Sequence, residues 1–368
     1  MVERVGEAAY VRWMDDQNFG VMTRAEGLGV LNLVGRSLAT LHLTPNSGKS
    51  QVLSLAEARR NFHLDLNRLL DEAETLPLRT NREGQILRSK IKAILRYSLK
   101  FEGQGEWNKI LKRIYLRAGV AKSRYLRSRA LNDVIAYPDL GGRIADYMRW
   151  TGTAGEFISF AQRVWTRSEQ IHGFVNLEVT ECLIQIEAFG TEKTAMRRLA
   201  SDLLRGKLKM PGYELCREVA PLILLRFGDR RSLPLLKRLL EQPFDGSFRS
   251  IRRSAGVVFA SYGLSEYRHL RGVAARLQRR QFAELVHMVE RIIAYDQLPK
   301  RHLNRFRLRY DASVARRFID MRDVLAIRLL ALNRKPTVLA ELRRAKASLM
   351  LKPLSNFDRN LLSVLLAF

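Results

Sequence analysis

Three apolar segments of this chain each close on an aromatic–glycine pair. They are Ile184-Gln-Ile-Glu-Ala-Phe189-Gly190, Leu222-Ile-Leu-Leu-Arg-Phe227-Gly228 and Val257-Val-Phe-Ala-Ser-Tyr262-Gly263, spaced 38 and then 35 residues apart. After each pair a few polar residues lead into another amphipathic stretch: Met196–Leu204, Leu233–Leu240 and Leu270–Leu277. A recurrence of this length is the sequence signature of stacked supersecondary units. Glycine suits the left-handed position that stops a helix. Residues 155–368 are almost free of strand alternation. The pattern predicts an array of helix–turn–helix units, with an irregular helical bundle as the other architecture it allows.

The arrangement resembles HEAT-type α-solenoid repeats, with Phe227-Gly-Asp229 followed by Pro234 as the nearest instance. Such stacking implies a helical domain over 151–368 and a concave face. Many of the arginines at 249, 252, 253, 268, 271, 276, 279, 280, 301, 305, 307 and 309 are expected to gather there.

Charge narrows the partner. The chain has 64 Lys and Arg against 37 Asp and Glu, a formal charge of +27, which points to a polyanion. The charge is uneven: residues 1–76 carry 8 basic and 10 acidic side chains, leaving 56 and 27 to the remainder. No apolar run approaches the ~20 residues of a membrane span, and MVERVGEAAY is not a secretory signal. The basic segments lack backing by bulky apolar faces, which disfavours a membrane surface. Cys182 and Cys216 are too few for a disulfide framework or a four-cysteine zinc site. The six histidines are scattered and read as structural or surface residues. A cytoplasmic protein that faces nucleic acid is the class these features imply.

Two adjacent carboxylates interrupt an extended, aromatic-rich opening, Tyr10-Val-Arg-Trp-Met-Asp-Asp-Gln-Asn-Phe-Gly-Val21. Ala9–Met14 and Gln17–Val21 have high β-propensity, which puts Asp15 and Asp16 at a hairpin. Like charges side by side repel, and a divalent cation removes the repulsion. Mg²⁺ takes hard oxygen ligands, commonly one or two carboxylates with phosphates and water. Two such ions can clamp the attacking and leaving oxygens of a phosphoryl transfer. A solvated turn is the plainer alternative.

Trp13-Met14-Asp15-Asp16 resembles the catalytic hairpin of reverse transcriptases, an aromatic residue, any residue, then two aspartates. Trp13 replaces the usual tyrosine, keeping the ring and losing the hydroxyl. Ala25–Leu41 reads as an amphipathic helix through Leu28, Leu31, Val34, Leu38 and Leu41. Leu41-His-Leu-Thr-Pro-Asn-Ser-Gly-Lys49-Ser50 then reads as a short strand, a turn and a lysine. Together these resemble the palm helix and following loop of that family, without the usual leading glycine. The resemblance covers residues 5–75. It implies a catalytic set of Asp15, Asp16 and Lys49, Asp15 and Asp16 as ligands of Mg²⁺, and deoxynucleoside triphosphates as substrates, with Lys49 near their phosphates. Asn61–Asn67 would occupy the place of the primer-grip hairpin. The family's site also needs an aspartate from an earlier palm strand, and neither Asp311 nor Asp320-Met-Arg-Asp323 lies in an apolar strand-like context to replace it. The chain therefore reads as the C-terminal part of a palm (1–76), expected to be inactive unless an upstream segment or a separate chain brings the fingers and remaining palm.

From Asn81 to Arg129 the pattern is helical and strongly basic, with only Glu102 and Glu106 acidic after Gln85. Lys109, Arg113 and Arg117 recur at four-residue spacing and share a helix face. Tyr97, Trp107, Tyr115 and Tyr125 are interleaved, each better suited to a core than to base stacking. In order along the chain this is the place of a reverse-transcriptase thumb (77–150), which holds the primer–template. Trp13, Lys92, Arg96, Lys109, Arg113, Arg117 and Arg124 are the expected nucleic-acid contacts; basic side chains there give affinity without sequence choice. The fold class expected overall is α+β: a partial palm of hairpin plus helix, a helical thumb and a HEAT-like solenoid. With its basic helical tail the chain resembles abortive-infection and other bacterial defence-associated reverse transcriptases. The competing reading is a non-enzymatic, basic α-helical nucleic-acid-binding protein.

Overall fold

The computed structural model describes residues 10–13, 16–46, 50–76, 80–241, 249–277, 280–294, 309–311, 316–318, 325, 328–332 and 334–350. Helices dominate these residues, and the strands form two short antiparallel hairpins. None of the described helices is long and apolar enough to cross a membrane. The chain divides into two compact units, Met1–Thr75 with Ile94–Leu111, and Leu76–Ala93 with Lys112–Phe368.

In the first unit, β1 (Tyr10–Trp13) pairs with β2 (Asp16–Phe19), Tyr10 opposite Phe19 and Trp13 opposite Asp16. Only Met14 and Asp15 stand between the paired ends, and both lie outside the described residues. The helix α1 (Arg24–Ala39) begins where it does because Thr23 and Glu26 form a reciprocal capping box. Its apolar face is not a core face: Leu28 is 54% exposed, and Gly27 is the helix's buried residue. The strand expected after it does not form. His42 turns the chain with φ 56, and Leu41 and Leu43 are exposed.

Ser54 and Glu57 repeat the capping box for α2 (Leu55–Asn61). Next comes α3 (Leu64–Glu74), which buries Leu66, Leu70 and Ala73. The primer-grip hairpin expected over Asn61–Asn67 is therefore absent, replaced by a helix–helix junction. His63 takes the left-handed conformation there (φ 48, ψ 48), and its Nε2 donates to the Gln104 carbonyl at 2.7 Å. Helical spacing of covered leucines outweighs the short alternation of Phe62, Leu64 and Leu66. Two longer helices, α4 (Asn81–Ser98) and α5 (Trp107–Val120), contribute residues to both units.

The second unit continues with α6 (Ala130–Ala136), α7 (Gly141–Thr151), α8 (Ala154–Thr166), α9 (Gly173–Gln185) and α10 (Gly190–Leu204). It runs on through α11 (Tyr213–Phe227), α12 (Leu233–Glu241), α13 (Arg249–Ala260), α14 (Leu264–Leu277) and α15 (Arg280–Ile293). A small hairpin, β3 (Arg309–Asp311) with β4 (Arg316–Phe318), and α16 (Pro336–Met350) complete the described elements. Asp311 thus stands in a strand, opposite Arg316; Asp320 and Asp323 lie outside the described residues.

Packing is in two layers. Helices α7, α9, α11, α13 and α15 touch in succession, while α8 meets α10 and α12 meets α14 in the second layer. Polar links recur at separations of 36 to 38 residues: Gly155 N–H to Glu192 Oε1, Arg230 to Glu266, Ser254 Oγ to the Glu218 carbonyl, and Tyr262 OH to the Leu224 carbonyl. The aromatic–glycine pairs mark this period, yet the glycines do not all act as left-handed stops. Gly190 alone of the three has positive φ (51), and α9 has already ended at Gln185. Gly228 has φ −73 and donates to the Leu224 carbonyl at 2.7 Å, where a Cβ would collide with that oxygen. A Cβ on Gly263 would come within 2.6 Å of Glu266 Oε2. Close approach to backbone, rather than handedness, excludes a side chain at Gly228, whereas at Gly263 the Glu266 carboxylate would have to move aside.

Candidate nucleic-acid interface

On α4, Leu87, Ile91, Ile94 and Leu95 are buried at helical spacing. That stripe turns Lys92 and Arg96 outward, and both are exposed. On α5, Trp107, Ile110, Leu111, Ile114, Tyr115 and Ala118 are core residues. Lys109 is exposed, while Arg113 and Arg117 flank the stripe half-buried. Arg96 and Lys109 belong to the first unit, and Lys92, Arg113, Arg117 and Arg124 to the second.

Within the second unit Lys92 Nζ stands 4.9 Å from the centroid of the exposed Tyr125 ring. This cation–π contact brings Lys92 beside the 124–127 turn. Within the first unit Lys100 Nζ stands 5.7 Å from the Tyr97 ring, also exposed. The four interleaved aromatics thus divide: Trp107 and Tyr115 are core, and Tyr97 and Tyr125 reach the surface under a lysine.

Two buried tyrosines hold the turn in place. Tyr147 OH donates to the Ser123 carbonyl at 2.8 Å and accepts from the Leu126 N–H at 3.1 Å. Tyr115 OH donates to Asp133 Oδ2 at 2.6 Å, and the two tyrosine rings meet edge-on at 5.2 Å. Burial pushes the Tyr147 hydroxyl up to about 12 and that of Tyr115 well above its usual value.

Several cations of the basic segment are engaged internally. Arg88 donates to the Ala121 carbonyl at 3.1 Å. Arg129 clamps Asp133 through Nε at 2.6 Å and Nη2 at 2.8 Å. Lys109 pairs with Glu106 at 2.6 Å. Arg124 and Arg127 both donate to Glu156 Oε1 at 2.6 Å. Arg124, expected to meet nucleic acid, is held in an ion pair, with its side chain 63% exposed. Sequence reasoning missed Glu156; the visible signal was the capping box Thr153-Ala-Gly-Glu156 formed at the start of α8.

The Arg127 hydrogen bond, first among several causes, lowers the Glu156 carboxyl from 4.5 to about 2. Because the folded value is the depressed one, this contribution to stability is complete above the unfolded value and is lost as pH falls from about 4.5 through 2. Melting temperature followed from pH 6 to pH 2 is expected to fall less steeply in Glu156→Gln than in the parent.

Trp13 and Asp16 are the last paired residues of the N-terminal hairpin. Asp15 and Lys49 lie outside the described residues. Of the arginines expected on a concave face, Arg253, Arg268, Arg271 and Arg276 are exposed, but Arg252 is only 4% exposed and belongs to the core. Arg271 also approaches Glu290 at 3.8 Å. Arg249 and Arg280 open α13 and α15, and Arg309 opens β3. Arg279, Arg301, Arg305 and Arg307 lie outside the described residues. Cys182 and Cys216 are buried free thiols, pushed up by burial to about 12 and about 11. No family model matches this chain, and no curated protein or solved structure matches it either.

Proposed function

We propose that this protein grips nucleic acid through the basic faces of α4 and α5, and that its N-terminal hairpin presents Asp15 and Asp16 as the metal-carrying pair of a polymerase of the defence-associated reverse-transcriptase type. The observation that carries the reading is the register of β1 with β2. Trp13 opposite Asp16 leaves a two-residue connection, which supports the tight hairpin that the motif calls for. In this reading α1 corresponds to the palm helix, α4 and α5 to the thumb, and the two-layered stack of α7 to α15 to HEAT-like repeats.

The donor set at the tip fits Mg²⁺, since two adjacent carboxylates are hard oxygen ligands of the number it commonly takes from protein. Bound there, the ion would supply charge stabilisation at the attacking and leaving oxygens. The chain's own groups do the rest. Asp15 and Asp16 hold the ion, Lys49 faces the triphosphate, and Lys92, Arg96, Arg113 and Arg117 neutralise backbone phosphates. Primer–template and deoxynucleoside triphosphates are the ligands.

A non-enzymatic nucleic-acid-binding protein is the second reading. It is favoured by Lys92, Arg113 and Arg117 standing on helices with a buried stripe of their own. Asp15→Ala separates the two. In protein supplied with the remaining palm carboxylate, the substitution is expected to abolish primer extension. Primer–template affinity should stay level or rise slightly, because a negative charge is removed. Loss of affinity in Asp15→Ala, read by fluorescence anisotropy, would show that Asp15 is structural and sink the catalytic assignment.

A further inference from the structure

We infer that a cleft framed by α6, α7 and α8, separate from the residues assigned above to the duplex grip, binds a nucleotide. The cleft is open to solvent and has a volume of about 770 Å³, within the range of small-molecule sites. Its floor is apolar: Leu131, Met148 and Phe160 are each 5–6% exposed and line it. Arg127, Arg163 and Arg167 stand around that floor. The exposed Ser128, Asn132 and Ser159 add hydroxyl and amide groups to the same wall.

Charge decides what such a cleft holds. Glu156 is the one acidic residue in its lining, and both its oxygens are engaged. Oε1 accepts from Arg124 and Arg127, and Oε2 accepts the Thr153 N–H at 2.7 Å. The carboxylate therefore acts as a brace for Arg127 and offers little repulsion to an anion. Arg127 Nε is buried without an acceptor among the described residues. Ser159 and Arg163 follow one another at four-residue spacing on α8, and Arg167 caps that helix, so the three fall along one side. Arginines at the rim suit phosphate oxygens, and an apolar floor that includes a phenylalanine suits the face of a base. A ligand with a flat body and a phosphate tail satisfies both halves; a bare anion would leave the floor unused.

A nucleotide with this chemistry comes either free or as the 5′-phosphorylated end of a strand. The inference does not require the aspartate pair to be catalytic. Binding to the full chain would be measured by calorimetry with ATP, with inorganic tripolyphosphate, and with short single strands bearing a 5′-phosphate or a 5′-hydroxyl. ATP or the 5′-phosphorylated strand is expected to bind at least about tenfold tighter than tripolyphosphate or the 5′-hydroxyl strand, respectively, the base contributing by stacking and the phosphate by charge-assisted bonds. The tighter of the two identifies the source.

Arg163→Gln with Arg167→Gln is expected to weaken that binding at least about tenfold, the effect of removing bonds to a charged group. Ser159→Glu, an exposed helix position, should do the same by repulsion without changing the melting temperature. Duplex affinity should be preserved in both variants. Tripolyphosphate binding as tightly as ATP would reduce the cleft to an anion site and overturn the inference. So would unchanged ATP and 5′-phosphate binding in both variants, or a parallel loss of duplex affinity, which would make the cleft part of the grip.

Discussion

Asp133→Ala is expected to destabilise the protein by about 3–5 kcal/mol, the cost of leaving a buried ionic partner uncompensated. Asp133 is 4% exposed and accepts three bonds, one from Tyr115 OH and two from Arg129. Removing it leaves a fully buried hydroxyl without its acceptor and takes two bonds from a guanidinium whose side chain is only 22% exposed. Urea denaturation checks it: the midpoint should fall with little change in slope. Asp133→Asn keeps the shape and one acceptor and should cost less. A midpoint unchanged in Asp133→Ala would mean that the Tyr115–Asp133–Arg129 network is not what holds α5 to α6.

Duplex binding should be steeply salt-dependent and indifferent to sequence. If six to ten phosphates are neutralised, affinity falls by about 10³–10⁵ between 50 and 200 mM salt. Lys92→Gln with Arg96→Gln is expected to reduce the slope of log affinity against log salt by about 1.8, at about 0.9 for each phosphate no longer neutralised. Both residues are exposed on α4 opposite its buried leucines and isoleucines, so the pair can be replaced without opening the core. Arg129→Gln offers the contrast. It should cost stability through Asp133 and leave the salt slope in place. An equal slope in the parent and in the Lys92/Arg96 double variant would remove α4 from the interface.

What the sequence revealed and what it hid follow from the range of the interactions. Helix starts set by a cap and a glutamate three residues on are local, so α1, α2 and α8 were open to reading at Thr23, Ser54 and Thr153. The hairpin around Trp13 and Asp16 was legible for the same reason, its strands being separated by two residues. Asn61–Asn67 misled because it was placed by its order along the chain, and the helical spacing of Leu66, Leu70 and Ala73 shows which face is covered. The destination of the arginines was beyond local reading. Arg127 and Arg124 meet Glu156 across 29 and 32 residues. Arg226 bonds the Ile184 carbonyl, and Arg217 that of Leu204 at 3.0 Å, linking neighbouring helices from inside. A formal charge of +27 therefore overstates the positive surface, because some of those charges are internal fastenings.

The aspartate pair stands at the centre of this account, and site-directed oxidation tests it most directly. In protein supplied with the remaining palm carboxylate and with bound duplex, Fe²⁺ replaces Mg²⁺, and peroxide with ascorbate then generates hydroxyl radicals wherever the metal sits. Backbone cleavage is expected around residues 15 and 16, suppressed by excess Mg²⁺ and abolished in Asp15→Asn with Asp16→Asn. Cleavage that is absent from the hairpin, or that persists unchanged in the double variant, would contradict it.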